Sequence, residues 1–330
     1  TANITTSDYV TYYFIENNYD GIVVEKSNII VDGNGYTLQG SGSGYGFNLT
    51  RISNVTIQNM RIKDFDYGVW FSLSSNSTIF RSHITNVNQG VYLNSSSHNV
   101  VYGCHINAGG VRLYYSLNNN VSRNNVTDDK GVILEWSSSN VISENNITNN
   151  LAGIWLISSS FNIISLNNLT NNHPVALYIY ESSSNTLRRN NLTSNIPCNF
   201  GVGGFSLSHF VHDIDESNTV NNKPIYYLVN RQDFDVPSNG GYVAIINSTN
   251  IKATGLELKD NYNGMLLVHA ENSQITNNII TQNVEGVFVK CSSSNTFFGN
   301  NITNNEQGIY LNSSSFNTFS ANNINNSDIS

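Results

Sequence analysis

Apolar and polar residues alternate along this chain in short runs that recur at a fixed spacing. In the segment that begins at Gly131, the apolar positions are Val132, Leu134, Ile142 and Ile147, and stretches rich in serine and asparagine separate them. Period-two alternation over such short runs is typical of half-buried β-strands, whereas helices need longer apolar periodicity. The pattern therefore predicts three short strands and three turns in each segment, with almost no α-helix.

The spacing is about 22 residues, and a glycine opens many of the copies, among them Gly131, Gly153, Gly286 and Gly308. A repeat of this length is one structural unit that buries its apolar face only against its neighbours. Stacked copies would be separated by the strand spacing of roughly 4.8 Å. We therefore predict an all-β fold, a single right-handed parallel β-helix (solenoid) of about a dozen coils.

The repeat also predicts the domain organisation, which is one β-helix domain over residues 1–330. We expect an N-terminal cap over 1–20 and regular coils over 21–196 and 242–330. Segment 197–241 breaks the period and contains a glycine-rich run, so it is expected to be an irregular coil or insertion that stands off the solenoid. Long loops of this kind in a compact protein are often functional.

Asparagine recurs at two fixed offsets within the repeat. Stacking would place each set in a column, where side-chain amides hydrogen-bond from coil to coil and stabilise the turns, whose left-handed backbone asparagine tolerates. Cys104 falls in one such column, so we predict a buried thiol there and no disulfide among the three cysteines. The two columns are Asn140, Asn162, Asn185, Asn295, Asn317 and Asn145, Asn167, Asn190, Asn300, Asn322.

The amino-acid composition limits which partners this chain can bind and where in or outside the cell it is expected. Charged residues make up 12% of the chain, against a usual ~25%, and the net charge is −8, so nucleic acid is excluded as a partner. No apolar run is long enough to span a membrane. The chain begins at Thr1 without methionine, as a processed chain does, and contains fourteen Asn-X-Ser/Thr sites, which favour an extracellular or cell-surface glycoprotein. The N-glycosylation candidates include Asn48, Asn54, Asn76, Asn125, Asn146, Asn168, Asn191 and Asn301.

Three stretches carry a family resemblance: GIVVEKSNIIVDGNGYTLQG near the start, the repeated SSSNT and NNIT units, and KPIYYLVN followed by VPSNGGYVAIINSTNI. They resemble the NosD-like proteins with parallel β-helix repeats, including archaeal-type secreted and surface members. The resemblance implies the solenoid fold over the whole chain, and for the bacterial namesake a periplasmic copper-binding role. Copper needs clustered histidine, methionine or cysteine. Here the seven histidines are scattered except for His209 and His212, so no metal site is expected.

One outward-facing column is apolar and aromatic. It lies at the third position after the opening glycine, between two positions that should be buried, and its neighbours two residues further on add more rings. The column has three interpretations: aromatics stacked between coils, a protein contact, or a sugar-binding surface. Its candidate binding residues are Trp70, Tyr92, Tyr114, Trp155, Tyr178, Tyr180, Phe288 and Tyr310.

The preferred function is an exported, non-catalytic structural or adhesive surface protein, without a cofactor. Its partner would be a surface glycan or further copies of itself, stacked into a filament where no capping sequence follows Ile324. The alternative is a carbohydrate-active enzyme, such as a polysaccharide lyase, epimerase or glycosidase, or a glycan-binding module. The alternative would use the aromatic column and the 197–241 loop, whose polar residues could hold a divalent cation. These loop residues are His209, His212, Asp213 and Asp215.

Overall fold

The computed structural model describes residues 3–325, which form an all-β right-handed parallel solenoid of about 14 turns. Within that range the helical structure is one short 3-10 helix, Leu207–Phe210. The predicted fold class is therefore confirmed. No helix in the described part of the chain has the length and apolarity that a membrane crossing requires.

The chain forms two compact units, Thr1–Asn168 and Leu169–Ser330. In the first unit, corresponding strands of successive coils pair in parallel, as where Val69 lies beside Val91 and Trp70 beside Tyr92. Its strands are β1 Ile4–Thr5, β2 Thr11–Phe14, β3 Ile22–Val23, β4 Ile29–Asp32, β5 Thr37–Gln39, β6 Tyr45–Thr50, β7 Val55–Gln58, β8 Arg61–Ser72, β9 Thr78–Phe80, β10 His83–Asn94, β11 Val100–Tyr102, β12 His105–Asn107, β13 Val111–Tyr114, β14 Asn120–Ser122, β15 Asn125–Thr127, β16 Val132–Glu135, β17 Val141–Ser143, β18 Asn146–Thr148, β19 Ile154–Ile157 and β20 Ile163–Ser165.

The second unit begins with parallel strand pairs and continues with three longer parallel stacks. Its strands, with β21 at the boundary, are β21 Asn168–Thr170, β22 Val175–Tyr180, β23 Thr186–Arg188, β24 Asn191–Thr193, β25 Cys198–Gly203, β26 Asp213–Ile214, β27 Thr219–Val220, β28 Lys223–Val229, β29 Gln232–Val236, β30 Tyr242–Ile246, β31 Thr249–Thr254, β32 Glu257–Lys259, β33 Asn263–Val268, β34 Gln274–Thr276, β35 Ile279–Thr281, β36 Glu285–Lys290, β37 Thr296–Phe298, β38 Asn301–Thr303, β39 Gln307–Asn312, β40 Thr318–Ser320 and β41 Asn323–Asn325. The stacks run β28-β30-β33-β36-β39, β29-β31-β34-β37-β40 and β32-β35-β38-β41.

The opening glycines of the repeat are fixed by crowding between coils. A Cβ added to Gly68 would lie 2.6 Å from the carbonyl oxygen of Gly90, closer than real Cβ atoms come to backbone. After Gly68 the strand alternates as predicted, with Val69 and Phe71 buried and Trp70 half-buried. The inward positions thus fill the solenoid core and leave the third position on the outer surface.

The predicted asparagine ladder is confirmed. The Asn145 amide donates to the carbonyl of Val121 at 2.9 Å and to Oδ1 of Asn167 at 3.0 Å. Its own Oδ1 accepts from the backbone N–H and the side-chain amide of Asn124, both at 3.0 Å. Each ladder residue therefore satisfies turn backbone of one coil and an amide of the next, in a site that water does not reach.

The left-handed backbone of these turns is not carried by the ladder asparagines, contrary to expectation. Ser139, with φ of 59°, and Glu144, with φ of 55°, each lie one residue before a ladder position. These corners face solvent, so many residue types adopt the conformation there at a modest energetic cost. The ladder asparagines themselves are selected for their buried amides.

All three cysteines are free, as predicted, and Cys104 is buried at its ladder position. Burial raises the pKa of the Cys104 thiol to about 11. Burial, together with the carboxylates of Glu306 and Asp260, raises the pKa of Cys198 to about 12. Cys291 is exposed. Since the thiolate is the reactive form, only Cys291 is poised to react in the folded protein.

Thiol titration is therefore expected to proceed in two stages. At mildly alkaline pH the folded protein should react once, at Cys291, and denaturant should release Cys104 and Cys198 to give three thiols in total. Ellman's reagent, added before and after denaturation, measures both numbers. A total below three would reveal a disulfide, and prompt reaction of the Cys291→Ser variant would show that a buried thiol is accessible.

Segment 197–241 does not stand off the solenoid at its beginning, and that expectation is wrong. Cys198, Phe200 and Phe210 are buried. β25 pairs in parallel with β22, which places Cys198 beside Val175 and Phe200 beside Leu177, and this part also contacts later strands. The Phe200 and Tyr242 rings meet edge to face at 4.8 Å, and the Tyr227 hydroxyl donates to the Phe210 carbonyl at 2.6 Å. In the second unit the outward face of β28 and β30 is thus covered.

The ends of the chain are only partly described. β1 and β2 pair antiparallel, and Phe14 is fully buried while Tyr9 is largely exposed. Thr1 and Ala2 of the expected cap lie outside the described residues, as do Asn326–Ser330 after the last coil.

Candidate functional site

An aromatic patch lies on the outer surface of the first unit. We use this name for Tyr45, Tyr67, Trp70 and Tyr92. The Tyr45 and Tyr67 ring centroids are 5.2 Å apart, Tyr67 meets Trp70 edge to face at 4.9 Å, and Trp70 stacks on Tyr92 at 4.9 Å. Register explains the grouping, because Tyr45 lies beside Tyr67 and Trp70 beside Tyr92 on adjacent strands. Tyr45 is exposed and the other three are half-buried.

Arg112 continues this surface with a charged group. Its guanidinium carbon lies 5.6 Å from the Tyr92 ring centroid and 6.0 Å from that of Tyr114. Both its Nε, at 2.8 Å, and Nη2 donate to one carboxylate oxygen of Glu135. The ion pair with Glu135 holds Arg112 between the two rings. Each cation–π contact of the guanidinium with a ring is worth about 0.5–1 kcal/mol at an exposed site.

A second aromatic group, the corner cluster, lies beyond Arg112 and consists of Tyr114, Tyr115 and Trp136. Tyr115 and Trp136 stack at 5.3 Å with an interplanar angle of 10°. Both have positive φ, 48° and 47°, and are 50% and 45% exposed. This conformation turns the two rings outward at the corner of adjacent coils.

Four members of this surface lie outside the predicted column. Tyr45 and Tyr67 directly precede coil-opening glycines, and Tyr115 and Trp136 directly follow the strand that carries the predicted column. The sequence feature that indicates them is an aromatic residue at the same offset in adjacent copies of the repeat, at a position other than the third. Because corner positions usually form turns, aromatic residues there do not by themselves predict a binding surface.

Trp155 belongs to the predicted column but not to either group. It is half-buried and makes no aromatic ring contact within residues 3–168, and its indole N–H is buried without a hydrogen-bond partner there. Ile133 lies beside Trp155 in register and separates it from the rings before it.

In the second unit the predicted tyrosines form a separate cluster with a residue from later in the chain. Tyr178 contacts Tyr180 at 6.1 Å and Tyr262 at 4.9 Å, and Phe205 meets Tyr180 edge to face at 6.0 Å. Phe288 and Tyr310 stack on each other at 5.3 Å as an independent pair. Leu266, at the third position of the coil before Phe288, is fully buried.

Glu285 lies against this tyrosine cluster in a half-buried site. Burial raises the pKa of its carboxyl to about 7, and a hydrogen bond from the Asn263 amide offsets part of that rise. The Tyr178 and Tyr262 rings lie 4.9 Å apart, and burial raises the pKa of both phenols. Oδ1 of Asn263 and the Tyr242 hydroxyl are buried without a hydrogen-bond partner among the described residues. Glu285 is thus a carboxyl group that titrates near neutral pH.

The predicted polar loop does not converge on a cation site. Arg188 forms ion pairs with Asp213 and, at 3.1 Å, with Asp215. His212 is buried, and the backbone N–H of Asn185 donates to its Nδ1 at 3.3 Å. Its Nε2 lies 3.1 Å from the His209 carbonyl, so the neutral ring with Nε2 protonated fits both contacts.

Burial lowers the pKa of His212 to about 4, so the ring is neutral at physiological pH. His209 accepts the backbone N–H of Phe205 at its Nδ1, at 3.2 Å. Within residues 3–325, no three His, Cys, Asp or Glu side chains come together in an arrangement that could hold a metal ion. The loop residues therefore have local structural partners.

A cleft of about 470 Å³ lies beside this loop. The loop contributes residues 212–217, and β28 contributes Tyr226, Tyr227, Leu228 and Val229, with Arg231 at one end. Ile214 and Leu228 are almost fully buried, while Asp213, Asp215 and Glu216 are exposed. The cleft is thus apolar at its base and mostly acidic at its rim.

The eight named glycosylation candidates are half-buried or exposed. Three of them form an outer column in the first unit, where the Asn146 amide donates to Asn125 and the Asn168 amide donates to Asn146, both at 2.9 Å. An attached glycan would leave one amide hydrogen for this outer ladder. The remaining candidates are Asn48, Asn54, Asn76, Asn191 and Asn301.

Solved structures with similar folds share little sequence with this chain. The A-module of the Azotobacter vinelandii mannuronan C-5 epimerase AlgE6 is 11% identical, with 97% of this chain and 91% of that chain covered and a TM-score of 0.45. DFA-IIIase from Arthrobacter chlorophenolicus A6 is 13% identical over 86% and 81%, with a TM-score of 0.46. Alginate lyase from a Paenibacillus species is 13% identical over 92% and 88%, with a TM-score of 0.40. At this level the similarities say nothing about what this chain binds.

No curated protein matches the chain. Two family models do. The model described as "Right handed beta helix region" matches residues 3–134. The model described as "Periplasmic copper-binding protein (NosD)" matches residues 89–227 and 211–329, well over half of the sequence. With this match and the parallel β-solenoid that it accompanies, the chain belongs to the NosD family.

Proposed function

We propose that this protein is an exported, non-catalytic binding protein of the cell surface whose aromatic patch binds a glycan chain. The observation that carries the proposal is the contiguous group of Tyr45, Tyr67, Trp70 and Tyr92 on the outside of the first unit. A contiguous apolar surface on a soluble protein is normally used for binding.

The chemistry around the patch suits a sugar. Aromatic rings offer apolar faces with a negative quadrupole for the C–H face of a pyranose, and tyrosine hydroxyls add hydrogen bonds at the ring edges. The Arg112–Glu135 pair supplies fixed donors and acceptors next to the rings. Ligand sites combine a mostly apolar surface with a few such polar groups. Coils stacked at strand spacing extend this surface along one direction, which fits a linear chain.

Export is supported by three observations. The chain has a low content of charged residues and fourteen Asn-X-Ser/Thr sites. The family description is of periplasmic proteins. None of the named glycosylation candidates is fully buried, and Asn54, Asn76, Asn146 and Asn168 are exposed, as an enzyme that attaches glycans requires.

The enzymatic alternative has less support. A glycosidase or lyase needs carboxyl and basic groups that are available to the substrate. Asp213 and Asp215 of the 197–241 loop already pair with Arg188. Glu285 has a pKa suited to proton transfer, but its hydrogen-bond partner is an amide. At the aromatic surface Arg112 and Glu135 likewise form an ion pair with each other.

Copper binding, which the family description names, does not fit the residues of this chain. Copper sites use several soft or imidazole ligands at one point. One histidine pair, His83 and His105, stacks ring on ring with centroids 5.1 Å apart, and Asn125 is the next residue in that column. No three His, Cys, Asp or Glu side chains meet anywhere in the described range. We therefore assign no copper-dependent role.

Replacing Trp70 by alanine is expected to weaken glycan binding about tenfold, since the loss of one stacked ring costs up to about 1.5 kcal/mol. Probes would be neutral and uronate-containing hexasaccharides, screened on an array and followed by titration calorimetry. The matched control is Phe161→Ala, which removes an aromatic ring that is 63% exposed elsewhere in the first unit. The control should bind as the unmodified protein does.

Equal losses from Trp70→Ala and Phe161→Ala, or no binding to any probe, would refute a glycan site at the patch. Thermal unfolding of both variants separates lost binding from lost folding. If Trp70→Ala instead abolished self-association in sedimentation experiments, the patch would be a protein contact.

A further inference from the structure

The stacking of coils in the second unit restarts at one hairpin. β27 continues the earlier coils by pairing in parallel with β24, and then pairs antiparallel with β28 through the contacts Thr219–Pro224 and Val220–Lys223. β28 in turn starts the stack that runs through β30. The hairpin covers only the beginning of β28, which continues to Val229. The rest of β28 has a strand neighbour on one side alone.

Hydrogen-bond directions show which backbone groups face the open side. The N–H of Asn230 donates to Ile246 on the β30 side at 3.0 Å, whereas the N–H of Ile225 donates to Asn218 on the hairpin side at 3.0 Å. Because directions alternate along a strand, the N–H and C=O groups of Tyr227 and Val229 point to the hairpin side. Beyond the hairpin they have no backbone partner within residues 3–325.

The cleft described above opens on this edge. The strand contributes Tyr226 to Val229 to its wall, and the opposite wall is residues 212–217. An unpaired strand edge that is exposed to solvent is a template for another strand. Here the edge adjoins a cavity of about 470 Å³.

Charge at the rim indicates the kind of segment that fits. Asp213 and Asp215 already pair with Arg188, but Glu216 has no ion pair in the described part of the chain. Its carboxylate is close enough to Tyr226 on β28 to raise the pKa of that phenol, a smaller effect than that of burial. The protein itself carries a net charge of −8 and only fifteen lysines and arginines, so a basic segment is more readily supplied by another protein.

We propose that β28 binds an extended segment of a partner polypeptide, which adds a strand along Tyr227 and Val229 and places a basic side chain opposite Glu216. Main-chain hydrogen bonds would supply affinity in this mode, and pockets for alternate side chains would supply specificity. Ile214 and Leu228 offer the apolar base for side chains that point inward. This site is separate from the aromatic patch, so neither proposal depends on the other.

Amide hydrogen exchange by NMR on the full chain tests the open edge directly. In the free protein the amides of Tyr227 and Val229 should exchange faster than those of Tyr226 and Leu228, which bond to β30. The probe is a capped hexapeptide of alternating lysine and valine. At a tenfold excess over its Kd it should slow exchange at Tyr227 and Val229 about tenfold. The same peptide with alternate N-methylated amides should give no protection.

Charge specificity is tested with two substitutions on exposed residues. Glu216→Lys should weaken peptide binding about fivefold, the effect of one exposed ion pair. The matched control, Glu271→Lys, reverses the charge of another exposed glutamate of the same unit and should leave binding unchanged.

Three results would overturn the proposal: slow exchange at Tyr227 and Val229 in the free protein, equal binding of the N-methylated peptide, or equal weakening by both substitutions. Protection of this edge by a neutral hexasaccharide, and not by the peptide, would also overturn it and assign the cleft to a glycan.

Discussion

Replacing Asn145 by alanine is expected to lower the free energy of unfolding by about 4 kcal/mol. The substitution removes an amide that donates to Val121 and Asn167 and accepts from Asn124 twice, all in buried positions. A buried group left without a partner costs about 1–3 kcal/mol, and at least two groups, the Val121 carbonyl and the Asn124 backbone N–H, lose theirs. Urea unfolding followed by circular dichroism measures the change.

The neighbouring residue provides a matched control. Asn146 is exposed, and its side-chain amide donates to Asn125 and accepts from Asn168 in the exposed outer ladder. Asn146→Ala should therefore change stability by less than about 1 kcal/mol, because water replaces the lost partner. Similar effects of the two substitutions would show that the buried ladder does not stabilise the solenoid beyond an ordinary surface hydrogen bond.

The ladder was predictable because its cause is local and periodic. Asn145 and Asn167 are 22 residues apart, one repeat, so stacking places one above the other whatever the rest of the chain does. The same reasoning located Cys104 in the column and predicted its buried thiol. Alternation likewise predicted that Trp70 faces outward between Val69 and Phe71.

Features that depend on contacts between non-equivalent positions were not predictable. Phe200 and Phe210 cover Tyr242 and Tyr227, and nothing in the repeat indicates that an irregular segment packs on those strands. The restart of stacking at β28 has the same origin, since a two-residue turn at Asn221 reverses the chain where a coil would otherwise continue.

Two glutamates show how contacts between coils escape prediction from the sequence. The repeat makes Glu135 and Glu285 look isolated, because neither has a charged neighbour in sequence. The structure pairs Glu135 with Arg112, an arginine one coil earlier. It places Glu285 against Tyr262, which lies one coil earlier, and against Tyr178, which precedes the irregular segment 197–241 in the chain. Burial of Glu285 could therefore be found only in three dimensions.

Replacing Glu285 by glutamine is expected to stabilise the protein by up to about 3 kcal/mol at about pH 8, and to have little effect at about pH 4. Burial raises the pKa of Glu285 from 4.5 to about 7. Between these values the folded protein holds a proton that the unfolded chain has released, so stability falls as the pH rises through this window. Above it, the folded protein carries a buried carboxylate among Tyr178, Tyr262 and Tyr242, and glutamine removes that charge.

Urea unfolding of both proteins across this pH range measures the difference. His212, whose pKa is lowered to about 4, acts in the opposite direction, because stability is lost as the pH falls below its unfolded value. It is present in both proteins, so its contribution cancels in the comparison. Glu271→Gln, at an exposed glutamate of the same unit, is the control and should show no pH-dependent gain. A gain for Glu285→Gln that stays constant from acid to alkaline pH would mean that the Glu285 carboxyl titrates as an ordinary surface group.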